Sequence, residues 1–117
     1  MKLLIVEDNA RMRKMIRQIV SDCAEQIFEC ADGAEASTIY AANRPDWVLM
    51  DIEMEKMDGL IASRQIKSEF TDAKIVFVTN YDDAAFRQSA REAGAVDYIL
   101  KENLLDILPI IQQKKKV

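Results

Sequence analysis

Histidine is absent from this 117-residue chain, and glycine (three residues), proline (two) and cysteine (two) are scarce. Without an imidazole there is no histidine base, so Ser-His and Cys-His nucleophiles are excluded. Chemistry must run on carboxylates, lysine, threonine, tyrosine or a bound metal. Cys23 and Cys30 supply too few ligands for a zinc site and read as buried free thiols. A positive excess is also missing: 16 Lys and Arg against 20 Asp and Glu leave a net charge of -4. That is the wrong sign for neutralising a phosphate backbone, so no nucleic acid is expected as a partner of this chain, and proteins or cations are. Long apolar runs are lacking too. Stretches such as Leu3 to Val6 and Ile75 to Val78 fall far short of the roughly 20 residues of a membrane span. Glu7 and Asp8 follow the first run at once, which excludes a secretory signal. A cytoplasmic protein with no membrane partner is expected.

What is present is a chain half hydrophobic and 31% charged. Size scaling lets a chain of this length bury roughly 65% of its unfolded surface, so one domain over residues 1–117 needs no disulfide or structural metal. Short apolar runs alternate with segments of helical period. Lys2 to Val6 reads as a strand, followed by a helical stripe of Met12, Met15, Ile16, Ile19, Val20 and Cys23. Gln26 to Cys30 is a weaker strand suited to a sheet edge, ended by Asp32-Gly33 ahead of an Ala-rich helix to about Ala42. Trp47 to Met50, Lys74 to Val78 and Ala95 to Leu100 complete five strands. Helices are expected from Leu60 to about Phe70, from a cap at Asp82 or Asp83 to a stop at Gly94, and from an Asn103–Asp106 cap pair through Ile111. Pro109 would bend the last of these, and Lys114 to Lys116 would sit near its negative end. Parallel strands joined by right-handed helical crossovers make an α/β, doubly wound five-stranded sheet with helices on both faces.

In such sheets ligands bind beyond the carboxyl ends of the strands. The residues just past those ends are Glu7 and Asp8, Asp51, Thr79, and Tyr98 with Lys101. The flavodoxin-like order 2-1-3-4-5 would bring Glu7, Asp8 and Asp51 to one rim. Two like charges about 4 Å apart repel by roughly 4 kcal/mol at an effective dielectric of 20, so three carboxylates there predict a cation. Few hard oxygen ligands, with room left for water and a phosphate, favour Mg2+ over Ca2+. Lys101 adds a cation and Thr79 a hydroxyl, which complement a phosphoryl group and leave Asp51, central on the rim, as the nucleophile. The plain alternative is that acidic residues after strands are helix caps.

Four stretches, in order and at these intervals, carry a resemblance: Leu3-Leu4-Ile5-Val6-Glu7-Asp8-Asn9; Pro45 to Asp51 with Met54, Met57, Asp58 and Gly59; Ile75-Val76-Phe77-Val78-Thr79; and Gly94 to Lys101. Over essentially its whole length the chain resembles the receiver domain of two-component response regulators. The resemblance implies that Asp51 accepts a phosphoryl group from a histidine kinase or phosphotransfer protein. It implies that Glu7, Asp8, Asp51 and the backbone carbonyl of Glu53 hold Mg2+, that Thr79 and Lys101 contact the phosphate, and that Tyr98 changes rotamer as Thr79 moves. The surface of helix four, strand five and helix five would then repack and bind a downstream effector domain or protein, or a second copy of the chain. The sequence departs from the family at Glu55 and Glu102, where proline is common, and at Asn80, where a small residue is common. A trans Lys101–Glu102 bond, a differently shaped loop and a slower loss of phosphate are the expectations.

Two other readings compete. A receiver-like protein-binding module that signals without phosphate is suggested by Glu55 and Glu102, and opposed by the intact Asp51, Thr79 and Lys101. A Mg2+-dependent nuclease or topoisomerase-type site is suggested by Glu7, Asp51 and Glu53, and opposed by the acidic charge balance.

Overall fold

The structure is a computed structural model that describes residues 1–54 and 57–112. Glu55 and Lys114 to Lys116 lie outside the described residues. Five strands, β1 (Lys2–Val6), β2 (Gln26–Cys30), β3 (Trp47–Met50), β4 (Ile75–Thr79) and β5 (Asp97–Leu100), alternate with five helices. These are α1 (Ala10–Val20), α2 (Gly33–Asn43), α3 (Gly59–Glu69), α4 (Ala84–Glu92) and α5 (Ile107–Ile111). All strand pairs are parallel, in the order β2-β1-β3-β4-β5, as the sequence predicts.

Side-chain alternation along the three central strands feeds two cores at once. Leu4, Val6, Val48, Met50, Ile75 and Phe77 face a core completed by Ala36 and Tyr40 of α2, Ala62 and Ile66 of α3, and Ala90 of α4. Leu3, Ile5, Trp47, Leu49, Val76 and Val78 face the other, completed by Ile16 and Val20 of α1 and Ile107, Ile110 and Ile111 of α5. That is why these strands read as continuous apolar runs. Edge strand β2 is only half-buried over Ile27 and Phe28. The α1 stripe is narrower than its period suggests: Ile16 and Val20 are buried, whereas Met15 is 44% exposed. The two cysteines also differ. Cys30 is buried, and burial, followed by the nearby Glu35 charge, pushes its thiol up to about 12; Cys23 is only half-buried.

The largest departure is at the end of the chain. Asn103 and Asp106 do not cap a helix. Residues Lys101–Asp106 form a 3-10 segment kinked at Asn103, and Asp106 makes no capping hydrogen bond. Burial of Leu104 and Ile107 against the sheet decides the path instead of the local polar signal. Pro109 consequently falls in the first turn of α5, where its missing N–H has no intrahelical partner to lose. It costs no hydrogen bond. No peptide among the described residues is cis, so Lys101–Glu102 is trans and the altered loop is the 3-10 turn.

Candidate active site at the carboxyl rim of the sheet

Strand register brings the rim residues together. Val6 lies opposite Met50, so Glu7 and Asp51 leave the sheet side by side, tied by the Asp51 N–H donating to the Val6 carbonyl (2.9 Å). Thr79 lies opposite Leu100, which places Lys101 just beyond the tip of β4. Four helices start from Asx side chains that accept from backbone N–H groups: Asn9 from Met12, Asp32 from Glu35, Asp58 from Ile61 and Asp83 from Phe86. These satisfy the first-turn donors and account for Asp32, Asp58 and Asp83 as structural residues. Because Asn9 caps α1, Glu7 and Asp8 are not needed as caps. The cap explanation fails for the acids that matter.

The rim encloses a cleft of about 490 Å3 lined by residues that include Glu7, Asp8, Asp51, Thr79 and Lys101. Glu7, Asp51 and Thr79 are buried (1%, 4% and 1% exposed), while Asp8 faces solvent. The Lys101 ammonium nitrogen lies 2.9 Å from Glu7 Oε1 and 3.4 Å from Asp51 Oδ1. The other Glu7 oxygen, Oε2, accepts from the Asn9 N–H (3.1 Å), and the Arg13 guanidinium donates to the Glu7 carbonyl (2.7 Å), so the β1–α1 turn is held from two sides.

Three carboxylates against one ammonium leave excess negative charge in a desolvated place. Burial first, then the Glu7 charge, pushes Asp51 up to about 7, with Lys101 working against them. Lys101 shows the reverse balance: burial pulls its pKa down, but contacts with Glu7 and Asp51 outweigh burial and leave it raised. It is therefore an ammonium at neutral pH.

The donor set fits a divalent cation. Glu7, Asp8 and Asp51 each offer a carboxylate oxygen, all within 4.8 Å of one another. Glu7 Oε1 is buried and has no hydrogen-bond donor, since the Lys101 contact is close but poorly directed. An all-oxygen set of this kind, open on one side to water, suits Mg2+. Glu53 lines the same cleft.

Tyr98 is placed differently from the others. It does not line the cleft but lies behind it, its hydroxyl donating to the Tyr81 carbonyl (2.5 Å) and the Arg87 guanidinium 4.7 Å above its ring. Tyr81 is the site residue that sequence reasoning missed. It lies two residues past the β4 tip, donates its hydroxyl to the Glu53 carboxylate and stacks on Phe86. Nothing in a loop Tyr-Asp-Asp signals that the ring turns back over the cleft. Arg13 was missed as well, because its role depends on the turn it grips.

The chain matches the family described as response regulator receiver domain over residues 3–111. It is similar to Response regulator MprA of Mycobacterium sp. (strain KMS), 35% identical over 107 residues that make up 92% of this chain and 46% of that protein. The chain thus spans about half the length of such relatives. Among solved structures, the response regulator domain of Thermotoga maritima CheB superposes with a TM-score of 0.86 at 26% identity, covering 97% of this chain and 94% of that one. A chain of the CheX-CheY-BeF3-Mg+2 complex from Borrelia burgdorferi does so with a TM-score of 0.86 at 26% identity, covering 97% and 90%.

Proposed function

Because this chain belongs to the response regulator receiver domain family, a regulatory domain of two-component signalling, we propose that Asp51 is its phosphoacceptor and that residues 1–117 act as one phosphorylation-controlled switch. The observation that carries this reading is the Lys101 ammonium seated between Glu7 and Asp51 at the base of an acidic cleft. A structural ion pair would need one carboxylate there; a phosphoryl site needs a nucleophile, a cation binder and a fixed positive charge.

In the proposed transfer an Asp51 carboxylate oxygen attacks the phosphorus of a phosphohistidine on a histidine kinase or phosphotransfer protein. The P–N bond breaks, the imidazole leaves with its electron pair, and an acyl phosphate forms on Asp51. Glu7, Asp8, Asp51 and the Glu53 carbonyl would hold Mg2+, which supplies charge neutralisation for the phosphoryl oxygens; the related Borrelia burgdorferi complex contains that ion. Lys101 stays protonated and meets the new charge. Thr79 is buried at the β4 tip, where its hydroxyl accepts from the Tyr81 N–H (3.3 Å) and keeps its own proton to donate. A shift of Thr79 toward the phosphate would therefore pull the Tyr81 peptide on which Tyr98 rests. That path leads from the site to the surface of α4, β5 and α5, where a downstream effector domain or protein, or a second copy, would read the change.

The test is to treat the protein with a small acyl phosphate, with and without Mg2+, and to follow intact mass and the position of the modification. A Mg2+-dependent phosphoryl gain that maps to Asp51 supports the proposal; no gain supports the phosphate-independent binding module instead. Mass is the right readout. Trp47 is buried at the opposite end of β3, with the Lys74 ammonium 4.5 Å from its ring, roughly 13 Å along the strand from Asp51 at about 3.3 Å per residue.

Asn80 lines the cleft and narrows the approach of a hydrolytic water. Asn80→Ala is expected to lose its phosphate faster than the parent, measured as the decay of the phosphorylated mass after donor removal; an unchanged or slower decay refutes that role.

A further inference from the structure

The main chain of Glu7 is pinned to the edge strand β2 on both sides. Its N–H donates to the Cys30 carbonyl (3.1 Å), and its own carbonyl accepts from Arg13 Nη1 (2.7 Å). Arg13 is in turn held from β2. Its Nε lies 3.3 Å from Glu29 Oε1, while Arg17, one turn further along α1, places Nη1 2.6 Å from Glu29 Oε2. Glu29 thus gathers two guanidinium groups from one face of α1, at the four-residue spacing that puts helical side chains side by side. Only Arg13 continues from there to the rim.

This chain of contacts adds little to folding. The Arg13 and Glu29 side chains are 23% and 31% exposed, and ion pairs open to water contribute little to stability. Its position matters more. Glu7 and Asp8 are successive residues of the turn that Arg13 grips, and with Asp51 they crowd three carboxylates into one small space. Like charges so close push the turn outward. A guanidinium suits the task of opposing them, because its planar fork meets two acceptors in a fixed geometry that the single nitrogen of a lysine does not match.

Resting on the Mg2+ site of the reading above, we infer that Arg13, braced by Glu29, is a positioning residue that holds the Glu7-Asp8 turn ready for the cation and thereby sets the affinity of the protein for Mg2+. Arg13 acts through the Glu7 peptide. The sign of its effect separates this role from plain electrostatics. A positive charge beside an acidic cluster repels a cation, so if charge alone mattered, removing it would tighten Mg2+ binding. Removing a brace weakens binding, because the cost of ordering the turn then subtracts from the binding free energy.

The test is Mg2+ binding by titration calorimetry on the parent, Arg13→Gln, Arg13→Lys, Glu29→Gln and the double variant of Arg13→Gln with Glu29→Gln. Urea unfolding in chelator shows that each is folded. Arg13→Gln is expected to raise the dissociation constant about tenfold, the lower end of what losing a group that orients a metal ligand costs. Glu29→Gln should weaken binding by a smaller factor, and the double variant should bind no more weakly than Arg13→Gln, because Glu29 acts through Arg13. With a small acyl phosphate as donor, Arg13→Gln should need about tenfold more Mg2+ for half-maximal uptake yet reach the parent's maximal rate, a split that general loss of structure would not give. Arg13→Lys decides the matter if Arg13→Gln is too unstable to titrate: with the charge kept, plain electrostatics predicts no change, and the brace predicts weaker binding. Unchanged or tighter Mg2+ binding in the folded Arg13 variants, or effects that multiply in the double variant, overturns the brace alone. A parent that binds no Mg2+ overturns it too. A parent that binds Mg2+ but takes up no phosphoryl group overturns the phosphoacceptor reading and leaves the brace to be judged on affinity.

Discussion

Asp51→Asn is expected to take up no phosphoryl group and, in the absence of metal, to be more stable at pH 7 than the parent. The first effect follows from losing the proposed acceptor carboxylate, which is buried on the rim with the Lys101 ammonium 3.4 Å away. The second follows from linkage. Asp51 is raised from 3.8 to about 7 in the folded protein, by burial and then by Glu7, so between those values the folded state holds a proton that the unfolded state has released. Stability from this group is fully present below about pH 4 and is lost as pH rises through about 7. The full rise corresponds to at most about 4 kcal/mol, and Lys101, which favours the ionised form, is already counted in it. Asparagine keeps the shape without the charge, so an advantage of about 1–3 kcal/mol at pH 7, shrinking by pH 5, is expected from urea unfolding in chelator. Millimolar Mg2+ should stabilise the parent more than the variant, since a ligand that binds only the folded state adds stability in proportion to RT ln(1 + [L]/Kd). Equal pH dependence of parent and variant between pH 5 and 7 would show that Asp51 is not the strained group.

Gly59→Ala is expected to be the most damaging single methyl in the molecule. Gly59 opens α3, capped by Asp58, and its N–H donates to the Ile52 carbonyl (2.8 Å), which folds the loop after β3 back over the strand end. A β-carbon there would lie 1.9 Å from the Asp51 carbonyl oxygen and 2.9 Å from Met50 Cγ. The first cannot be relieved by a rotamer change, because that obstacle is backbone. The loop or the Asp51 peptide must move, at a cost of about 3 kcal/mol or more. The urea midpoint should fall accordingly, and phosphoryl uptake by whatever fraction stays folded should fall too, since the displaced peptide carries the proposed acceptor. By contrast, the requirement at Gly94 is conformational: its φ of 90° is open to few other residues, and alanine there should cost about 1 kcal/mol. A Gly59→Ala midpoint equal to that of the parent would mean that the close approach of α3 to Asp51 is not real.

Much of this architecture is legible in the sequence. Central strands buried on both faces read as apolar runs, and the 3.6-residue stripe of α1 read as a helix. Both are short-range patterns that packing reinforces. The rim carboxylates were legible for the same reason, since a residue directly after a strand has little choice of position. Local signals failed where packing overruled them. Asn103 and Asp106 imitate a helix start, but the burial of Leu104 and Ile107 sets a 3-10 turn there and moves α5 downstream. Glu7 illustrates the opposite limit: an acid just after a strand reads equally well as a helix cap, and only the hydrogen bond from the Met12 N–H to Asn9 frees Glu7 for the site.

The order of residue types along the chain was therefore enough to specify five strands, the helices between them, and the identity of the groups delivered to one rim. Tertiary structure alone decided how those groups relate. The 2.9 Å and 3.4 Å approaches of Lys101 to Glu7 and Asp51 join residues 94 and 50 positions apart, and such distances follow from strand register and burial, which no local pattern encodes. The same holds for the raised proton affinity of Asp51 and for the Tyr81 ring over the cleft. Each is a property of what lies around a side chain, and the neighbours come from other strands and loops.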